Sequence, residues 1–223
     1  MGAREADGHE GRPLKTKGLI APNERERLIA AMAASCARKG YAATEVSDVL
    51  VATGVDRLGF ERNFADKSEC ALAAVNQILA ETTHVAGVAF SPDLADWEKL
   101  IHAVRALLEL LAAQPSYARL ALIEARSSMP AEAYERYAAG IRVLIAMLDR
   151  TREYARVSAP ASATRGAIGG AELLIRRELI AGRAENLPQL LPDIIYGTVV
   201  SFLDQQEALR YRELAKELIK AGG

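Results

Sequence analysis

The chain has 223 residues, a formal net charge of −1 and three histidines. Half of its residues are hydrophobic but only 5% are aromatic, which favours aliphatic helices over a β-sandwich. No apolar run approaches the ~20 residues of a membrane span, and the start lacks the apolar region of a signal peptide. The two cysteines, Cys36 and Cys70, do not have C-x-x-C spacing. We therefore expect a cytoplasmic all-α protein without membrane association.

Residues 1–21 are rich in glycine and charged residues and have no hydrophobic period. This composition predicts a flexible basic arm. Three basic residues near its end carry its positive charge: Arg12, Lys15 and Lys17.

Residues 22–84 have the pattern of a compact helical unit. Pro22 suits the first turn of a helix, and Gly40 ends that helix. One face of the helix is apolar at four-residue spacing, through Leu28, Met32 and Cys36.

Two short helices around a tight corner follow. Thr44 is predicted to cap the first helix, Gly54 to end it, and Asp56 to cap the second. A capping box at Asp66 and Glu69 begins a fourth helix. The predicted inward-facing residues of the two short helices are Val46, Val49, Leu50, Phe60 and Phe64.

These landmarks, in this order, resemble the DNA-binding domain of TetR-family transcriptional regulators. They cover roughly 60 consecutive residues: the run from Arg27 to Gly40-Tyr41, then Thr44, Val46, Asp48-Val49, Gly54-Val55, Phe60, Phe64, Lys67 and the "LAAV" of residues 72–75. The resemblance implies a three-helix helix-turn-helix domain followed by a larger helical ligand-binding and dimerisation domain at 85–223. It also implies a homodimer that binds a palindromic operator and a repressor that a small-molecule effector releases from DNA.

In a helix-turn-helix the second helix of the pair enters the major groove. Its predicted outer face comprises Arg57, Leu58, Gly59, Glu61, Arg62 and Asn63. Gly59 is expected to let the backbone approach DNA, and Thr44 and Lys67 to contact phosphate at helix N-termini. Two interpretations of Arg12, Lys15 and Lys17 stay open: a solvated tail, or an arm that reaches the DNA backbone or minor groove.

The chain departs from the family pattern at three positions of this helix. Glu61 stands where the family usually has tyrosine, Asn63 where it has histidine, and Leu58 where a small residue is common. Glu61 has two explanations: it pairs with Arg57 one turn earlier, or it accepts from a cytosine amino group. Residues 12–67 carry ten Lys/Arg and seven Asp/Glu, a modest excess for a DNA-binding protein.

The segment 85–223 is predicted to form a second helical domain. Ser91-Pro92 is expected to open its first helix, and the last two main helices are predicted near 163–182 and 188–206. The resemblance implies that these two helices form a four-helix dimer interface; an ordinary internal core is the alternative. The predicted interface residues are Gly166, Gly169, Gly170, Leu173, Ile194, Ile195, Val199 and Phe202.

By the same resemblance, the middle helices enclose a mostly apolar ligand pocket. Six candidate ligand contacts lie in these helices: Trp97, His102, Arg105, Glu124, Tyr134 and Tyr137. The alternative is that each of the polar ones is a surface residue or is satisfied within the core.

Catalysis is not expected, and neither is a cofactor. The sequence has no H-E-x-x-H, G-x-S-x-G, P-loop or dinucleotide fingerprint. The remaining alternative to a regulator is a ligand-binding or scaffold protein of the same fold that has lost operator recognition.

Overall fold

The computed structural model describes residues 23–89 and 96–222, and all regular structure in these ranges is helical. The predicted all-α architecture, with an N-terminal helix-turn-helix unit and a larger helical unit after it, is confirmed. The predicted basic arm, Pro22 and the helix start at Ser91-Pro92 lie outside the described residues. Within the described ranges, no helix is both long and apolar enough to cross a bilayer.

The first helix, α1, spans Glu24–Lys39 and begins with a reciprocal cap. The Asn23 side chain accepts from the Glu26 amide at 2.9 Å, and the Glu26 carboxylate accepts from the Asn23 amide at 3.0 Å. The helix ends at Gly40, whose φ of 82° suits glycine. Its predicted apolar face is fully buried through Leu28, Met32 and Cys36.

Helices α2 (Val46–Thr53) and α3 (Arg57–Asn63) form the predicted corner. Gly54 ends α2 in the left-handed conformation with φ 70°, and the Asp56 carboxylate caps α3 by accepting from the Gly59 amide at 2.6 Å. Thr44 does not cap α2, because its buried hydroxyl donates back to the Gly40 carbonyl at 2.8 Å. Glu45 takes the capping role.

The other described residues, within 67–89 and 96–222, lie mostly in helical elements. These elements are α4 (Lys67–Ala89), α5 (Asp96–Ala113), α6 (Pro115–Arg119), a π-helical turn (Leu120–Glu124), α7 (Ala125–Ser127), α8 (Ala131–Arg150), a 3₁₀ turn (Thr151–Tyr154), α9 (Ala163–Ile180), a second 3₁₀ turn (Ala184–Leu190), α10 (Leu191–Val199) and α11 (Gln205–Gly222).

The single helix predicted near 188–206 is divided in the structure. Pro188 lies in the 3₁₀ turn before α10, and Pro192 occupies the first turn of α10, where a missing amide does no harm. After α10, the Asp204 carboxylate accepts from the Glu207 amide at 2.9 Å and starts α11. The segment predicted as one helix therefore ends at Val199, and a new helix begins after the Asp204 cap.

Helix α4 joins the two units of the chain. It packs against α1 on one side and against α5 and α8 on the other, and the boundary placed between residues 84 and 85 from sequence falls inside it. Buried residues of both units form one hydrophobic cluster. A displacement of α4 is therefore felt in both units, because close-packed interiors transmit strain.

Candidate nucleic-acid interface and ligand cavity

The outer face of α3 consists of Arg57, Leu58, Glu61 and Arg62, all of which are exposed. Their orientation follows from the opposite face, where Phe60 and Phe64 are buried with ring centroids 5.8 Å apart. Leu58 is 66% exposed, so the face carries an apolar side chain between the two arginines. This is the surface that a helix-turn-helix presents to the major groove.

The Glu61 carboxylate is paired with Arg57 in the free protein. Arg57 Nε donates to Glu61 Oε1 at 2.8 Å, as the first of the two sequence-based explanations requires. Both side chains are about half exposed or more, and such i,i+4 pairs contribute only about 0.3–0.5 kcal/mol. DNA phosphates can therefore compete for Arg57 at little cost.

Gly59 faces the protein and not the groove. A Cβ built on it would lie 2.6 Å from Val55 Cγ1 and 3.1 Å from Asp56 Oδ1. The sequence interpretation, a close approach of backbone to DNA, is therefore replaced by a packing role. Glycine is needed here because the corner residue Val55 occupies the space that a side chain would fill.

Asn63 is also committed to contacts within the protein. Its Nδ2 donates to Glu24 Oε1 at 2.9 Å and to the Gly59 carbonyl at 2.8 Å, which leaves it no free donor for phosphate. Glu24 Oε1 also lies 3.9 Å from an Arg62 guanidinium nitrogen. The N-terminus of α1 thus fixes the C-terminal end of α3.

Thr44 and Lys67 stabilise the turn between α1 and α2 and do not face outward at helix ends. Thr44 is fully buried. Lys67 Nζ donates to the Thr44 carbonyl at 2.9 Å and to the Tyr41 carbonyl at 3.2 Å, and lies 4.4 Å from the Tyr41 ring centroid. The interior position of Thr44 and the bonded ammonium of Lys67 do not fit the phosphate contacts predicted for them.

Charge on the helix-turn-helix unit is balanced. Residues 23–67 carry seven Lys/Arg and seven Asp/Glu, and Lys39 pairs with Asp48 at 2.7 Å on the same unit. The excess of three basic residues counted over 12–67 therefore lies entirely in Arg12, Lys15 and Lys17. Phosphate binding depends on positive charge, so these three residues are the candidates for the excess that residues 23–67 do not supply.

An apolar cavity of about 130 Å³ lies within the second unit. Helices α4, α5, α8, α9 and α10 and the π-helical turn surround it, chiefly with Leu, Ile, Val and Ala side chains. Three threonines also line it: Thr82, Thr83 and Thr198. An apolar space of this size is suited to a small molecule.

Tyr137 lines this cavity, and the other five predicted ligand residues lie elsewhere. Trp97 packs on Phe202 with ring centroids 5.7 Å apart. Arg105 pairs with Glu109 at 2.7 Å, and Tyr134 is 48% exposed. His102 is half-buried outside the lining, and Glu124 is turned towards the end of α1.

Sequence reasoning missed Glu172, which lines the cavity from α9. Its Oε1 lies 2.6 Å from an Arg126 guanidinium nitrogen, and the same arginine donates to the Tyr137 hydroxyl oxygen at 3.4 Å. Burial, together with Glu172, raises the pKa of Tyr137. The available signal was helical spacing, because Glu172 lies four residues after Ile168 and three before Ile175, both of which line the cavity.

The predicted dimer residues fall into two groups. Gly166, Gly169, Gly170 and Leu173 lie on an exposed face of α9, where Leu173 is 69% and Ile180 59% exposed. We call these five residues the α9 outer face. The other four predicted residues, Ile194, Ile195, Val199 and Phe202, are buried within the chain's own core. They are unavailable to a partner because the chain's own helices already cover them, and α10 packs against α5, α9 and α11.

No family model matches the sequence, and no curated protein does. Solved structures match the fold. The fatty acid degradation regulator FadR from Bacillus halodurans has a TM-score of 0.68 at 18% identity, over 83% of this chain and 96% of that chain. A γ-butyrolactone receptor, an ArpA-like protein, has a TM-score of 0.69 at 18% identity over 89% and 97%.

A third similar structure is the TetR-family protein CprB from S. coelicolor A3(2). It has a TM-score of 0.65 at 18% identity, over 87% of this chain and 97% of that chain. Together with the helix-turn-helix geometry of α2 and α3, these similarities show that the chain has the fold of the TetR-family transcriptional regulators.

Proposed function

We propose that the protein is a homodimeric DNA-binding transcriptional regulator, a repressor that leaves its operator when a small molecule occupies the apolar cavity. One observation carries this proposal: the buried Glu124 carboxylate accepts from the Tyr41 amide at 2.9 Å. Glu124 belongs to the π-helical turn at the cavity, and Tyr41 to the turn between α1 and α2. The similar structures include a fatty acid degradation regulator and a γ-butyrolactone receptor, which supports a ligand-responsive regulator.

The link between cavity and helix-turn-helix is short. Ala121 and Leu122 line the cavity from the same π-helical turn that ends at Glu124. Ser128 donates to Glu124 Oε2 at 2.6 Å and helps to orient the carboxylate. A ligand that moves this turn also moves the acceptor of a buried amide, which is costly to leave unpaired. The ligand changes the affinity for DNA only if it binds the two positions of this turn, original and displaced, with different affinities.

Replacing Glu124 with alanine is expected to uncouple the turn between α1 and α2 from the π-helical turn at the cavity. The Tyr41 amide loses its acceptor, so stability falls by about 1–3 kcal/mol, hydrogen exchange at that amide accelerates, and DNA binding weakens. Glu124→Gln keeps a carbonyl acceptor and serves as the matched control. Hydrogen-exchange NMR and fluorescence anisotropy measure the two effects. Unchanged exchange at Tyr41 in Glu124→Ala, with the protein folded, contradicts this coupling.

The α9 outer face supports the dimer. Glycines at positions 166, 169 and 170 allow a second helix to approach closely, since a Cβ at each would meet no neighbouring atom within 4 Å. Leu173 and Ile180 beside them are large apolar side chains that gain from being covered. A two-fold dimer through this face presents two α3 helices to successive major grooves about 34 Å apart, and therefore to a palindromic operator.

Leu173→Arg is expected to convert the dimer to a folded monomer. An unpaired charge in an apolar interface costs several kcal/mol, while the exposed position spares the chain's own core. Val143→Arg, at a 40% exposed position on α8, is the matched control and should remain dimeric. Light scattering measures the mass against the 24.0 kDa chain. A monomeric parent protein, or a dimer that survives Leu173→Arg, contradicts the interface.

A second candidate function is favoured by the charge balance of residues 23–67. A helix-turn-helix unit without net charge, with Arg57 held by Glu61, suits a ligand-binding or scaffold protein that no longer binds an operator. The two candidates differ in whether the folded protein binds DNA, which an affinity measurement at low salt decides.

Replacing Arg12, Lys15 and Lys17 with glutamine tests whether the basic arm takes part in that binding. For a regulator, affinity for DNA falls, and the slope of log affinity against log salt decreases by up to about 0.9 for each phosphate that the arm no longer neutralises. Fluorescence anisotropy between ~50 and ~200 mM salt measures both. Lys216→Gln with Lys220→Gln on α11 is the control. Absence of DNA binding by the folded parent at low salt favours the second candidate.

Glu61→Gln is expected to tighten binding to all DNA sequences by a similar factor of about three to ten. When phosphate draws Arg57 away, the Glu61 anion stays near the DNA, and the exposed repulsion amounts to about 1 kcal/mol. Glu135→Gln, exposed on α8, is the control. A loss of preference for the selected operator, with a gain only for random DNA, contradicts this and assigns Glu61 to base reading.

A further inference from the structure

The chemistry of the cavity is set at one end. Among the described residues that line it, Glu172 alone carries a charge, and nearly all others are aliphatic. An ion placed in such surroundings loses its hydration, which costs far more than burying a neutral group unless a partner of opposite charge is present. The contacts of Glu172 therefore decide which ligands are acceptable.

Glu172 provides no partner for an ion of either sign. Its Oε1 already lies 2.6 Å from an Arg126 nitrogen and 3.7 Å from an Arg176 nitrogen, so a cation would meet a carboxylate that is already neutralised. A carboxylate ligand would meet Glu172 first, because neither arginine lines the cavity. The arginines are also partly exposed, with 35% and 29% of their side chains accessible, so water screens their attraction for an anion inside.

The same end still offers a hydrogen-bond acceptor. An ionised carboxylate has about four acceptor positions. Arg126 at 2.6 Å occupies one of them, and Arg176 at 3.7 Å lies beyond hydrogen-bond distance. Arg126 also approaches the Tyr137 oxygen at 3.4 Å, which holds the phenol beside Glu172. A ligand group that donates one hydrogen bond matches what is left.

We propose that the cavity binds a compact, uncharged, largely apolar molecule that carries a hydroxyl or similar donor, and that it rejects carboxylates of the same size. Glu172 and Tyr137 hold the donor group. This proposal rests on the ligand response in the function proposed above. The volume of about 130 Å³ is close to that of an apolar cavity of about 150 Å³ that takes up benzene. The ligand is therefore about the size of one substituted ring.

Three probes with the same ring test this selectivity: benzyl alcohol, toluene and benzoate. Each is titrated into the full chain without DNA, and binding is measured by calorimetry and ligand-observed NMR. Benzyl alcohol is expected to bind with a Kd between about 0.1 and 10 mM. It should bind severalfold tighter than toluene and about tenfold or more tighter than benzoate.

Glu172→Gln tests the residue. The amide keeps an acceptor and removes the negative charge that a carboxylate ligand meets first, so benzoate is expected to gain about tenfold while benzyl alcohol changes by less than about threefold. Retained toluene binding shows that the cavity of the variant is intact. Glu135→Gln, exposed on the same helix as Tyr137, is the control and should change none of the affinities.

Benzoate binding as tightly as benzyl alcohol in the parent overturns the proposal. An unchanged preference of Glu172→Gln for benzyl alcohol over benzoate also overturns it, as does the failure of all three probes to bind the parent. Because these titrations contain no DNA, a protein that selects benzyl alcohol but never binds DNA contradicts the regulatory function and leaves this selectivity standing.

Discussion

The buried hydrogen bond from the Tyr41 amide to Glu124 is the constraint on which the arrangement of the two units depends. It joins groups 83 residues apart in the chain, and the donor lies in the turn that orients α2 and α3. Around it, Lys67 holds two carbonyls of that turn, while Ser128 holds the carboxylate. A π-helical turn is a strained variant that often marks a functional site, and here it contacts both the cavity and the helix-turn-helix unit.

Many polar groups of the helix-turn-helix unit bond to other groups within the same unit. Asp56 caps α3, Asn63 and Glu24 bind each other across α1 and α3, and Lys39 pairs with Asp48. These contacts fix the orientation of α3, but they leave few free cations on its surface. Fixing the orientation of α3 and supplying positive charge to attract DNA are therefore separate requirements. In this sequence the basic excess over residues 12–67 comes from Arg12, Lys15 and Lys17.

Helix α9 has different chemistry on its opposite faces. Ile168, Glu172 and Ile175 face the cavity, while the glycines and Leu173 face outward. A candidate ligand contact and a candidate dimer contact are thus separated by the width of one helix. Movement of α9 to accommodate a ligand would displace the outer face as well, because the helix moves as a rigid rod over this length.

Features that depend only on neighbours in the chain could be predicted from the amino-acid pattern. The Gly54 corner, the Asp56 cap and the buried pair Phe60 and Phe64 follow from local backbone requirements and 3.6-residue periodicity. Periodicity also identified α9 and the apolar stripe of α10. The Asp204 cap that begins α11 is also local, but the apolar pattern before it extended the predicted helix to residue 206.

The contacts of each polar or apolar face became visible only when the helices were packed together. The role of Gly59 depends on its contact with Val55, that of Asn63 on Glu24, and that of Lys67 on the Tyr41 turn. Glu24 and Tyr41 are distant in sequence from the residues they contact. An apolar stripe shows that a helix face must be covered, but it does not show which partner covers it. In the structure, Ile195 and Phe202 are covered by their own chain. For the same reason Glu172, a single carboxylate in an amphipathic helix, gave no sign of the cavity until α4, α5, α8 and α10 were packed around it. Burial is a property of the packed helices together, whereas periodicity is a property of each helix alone.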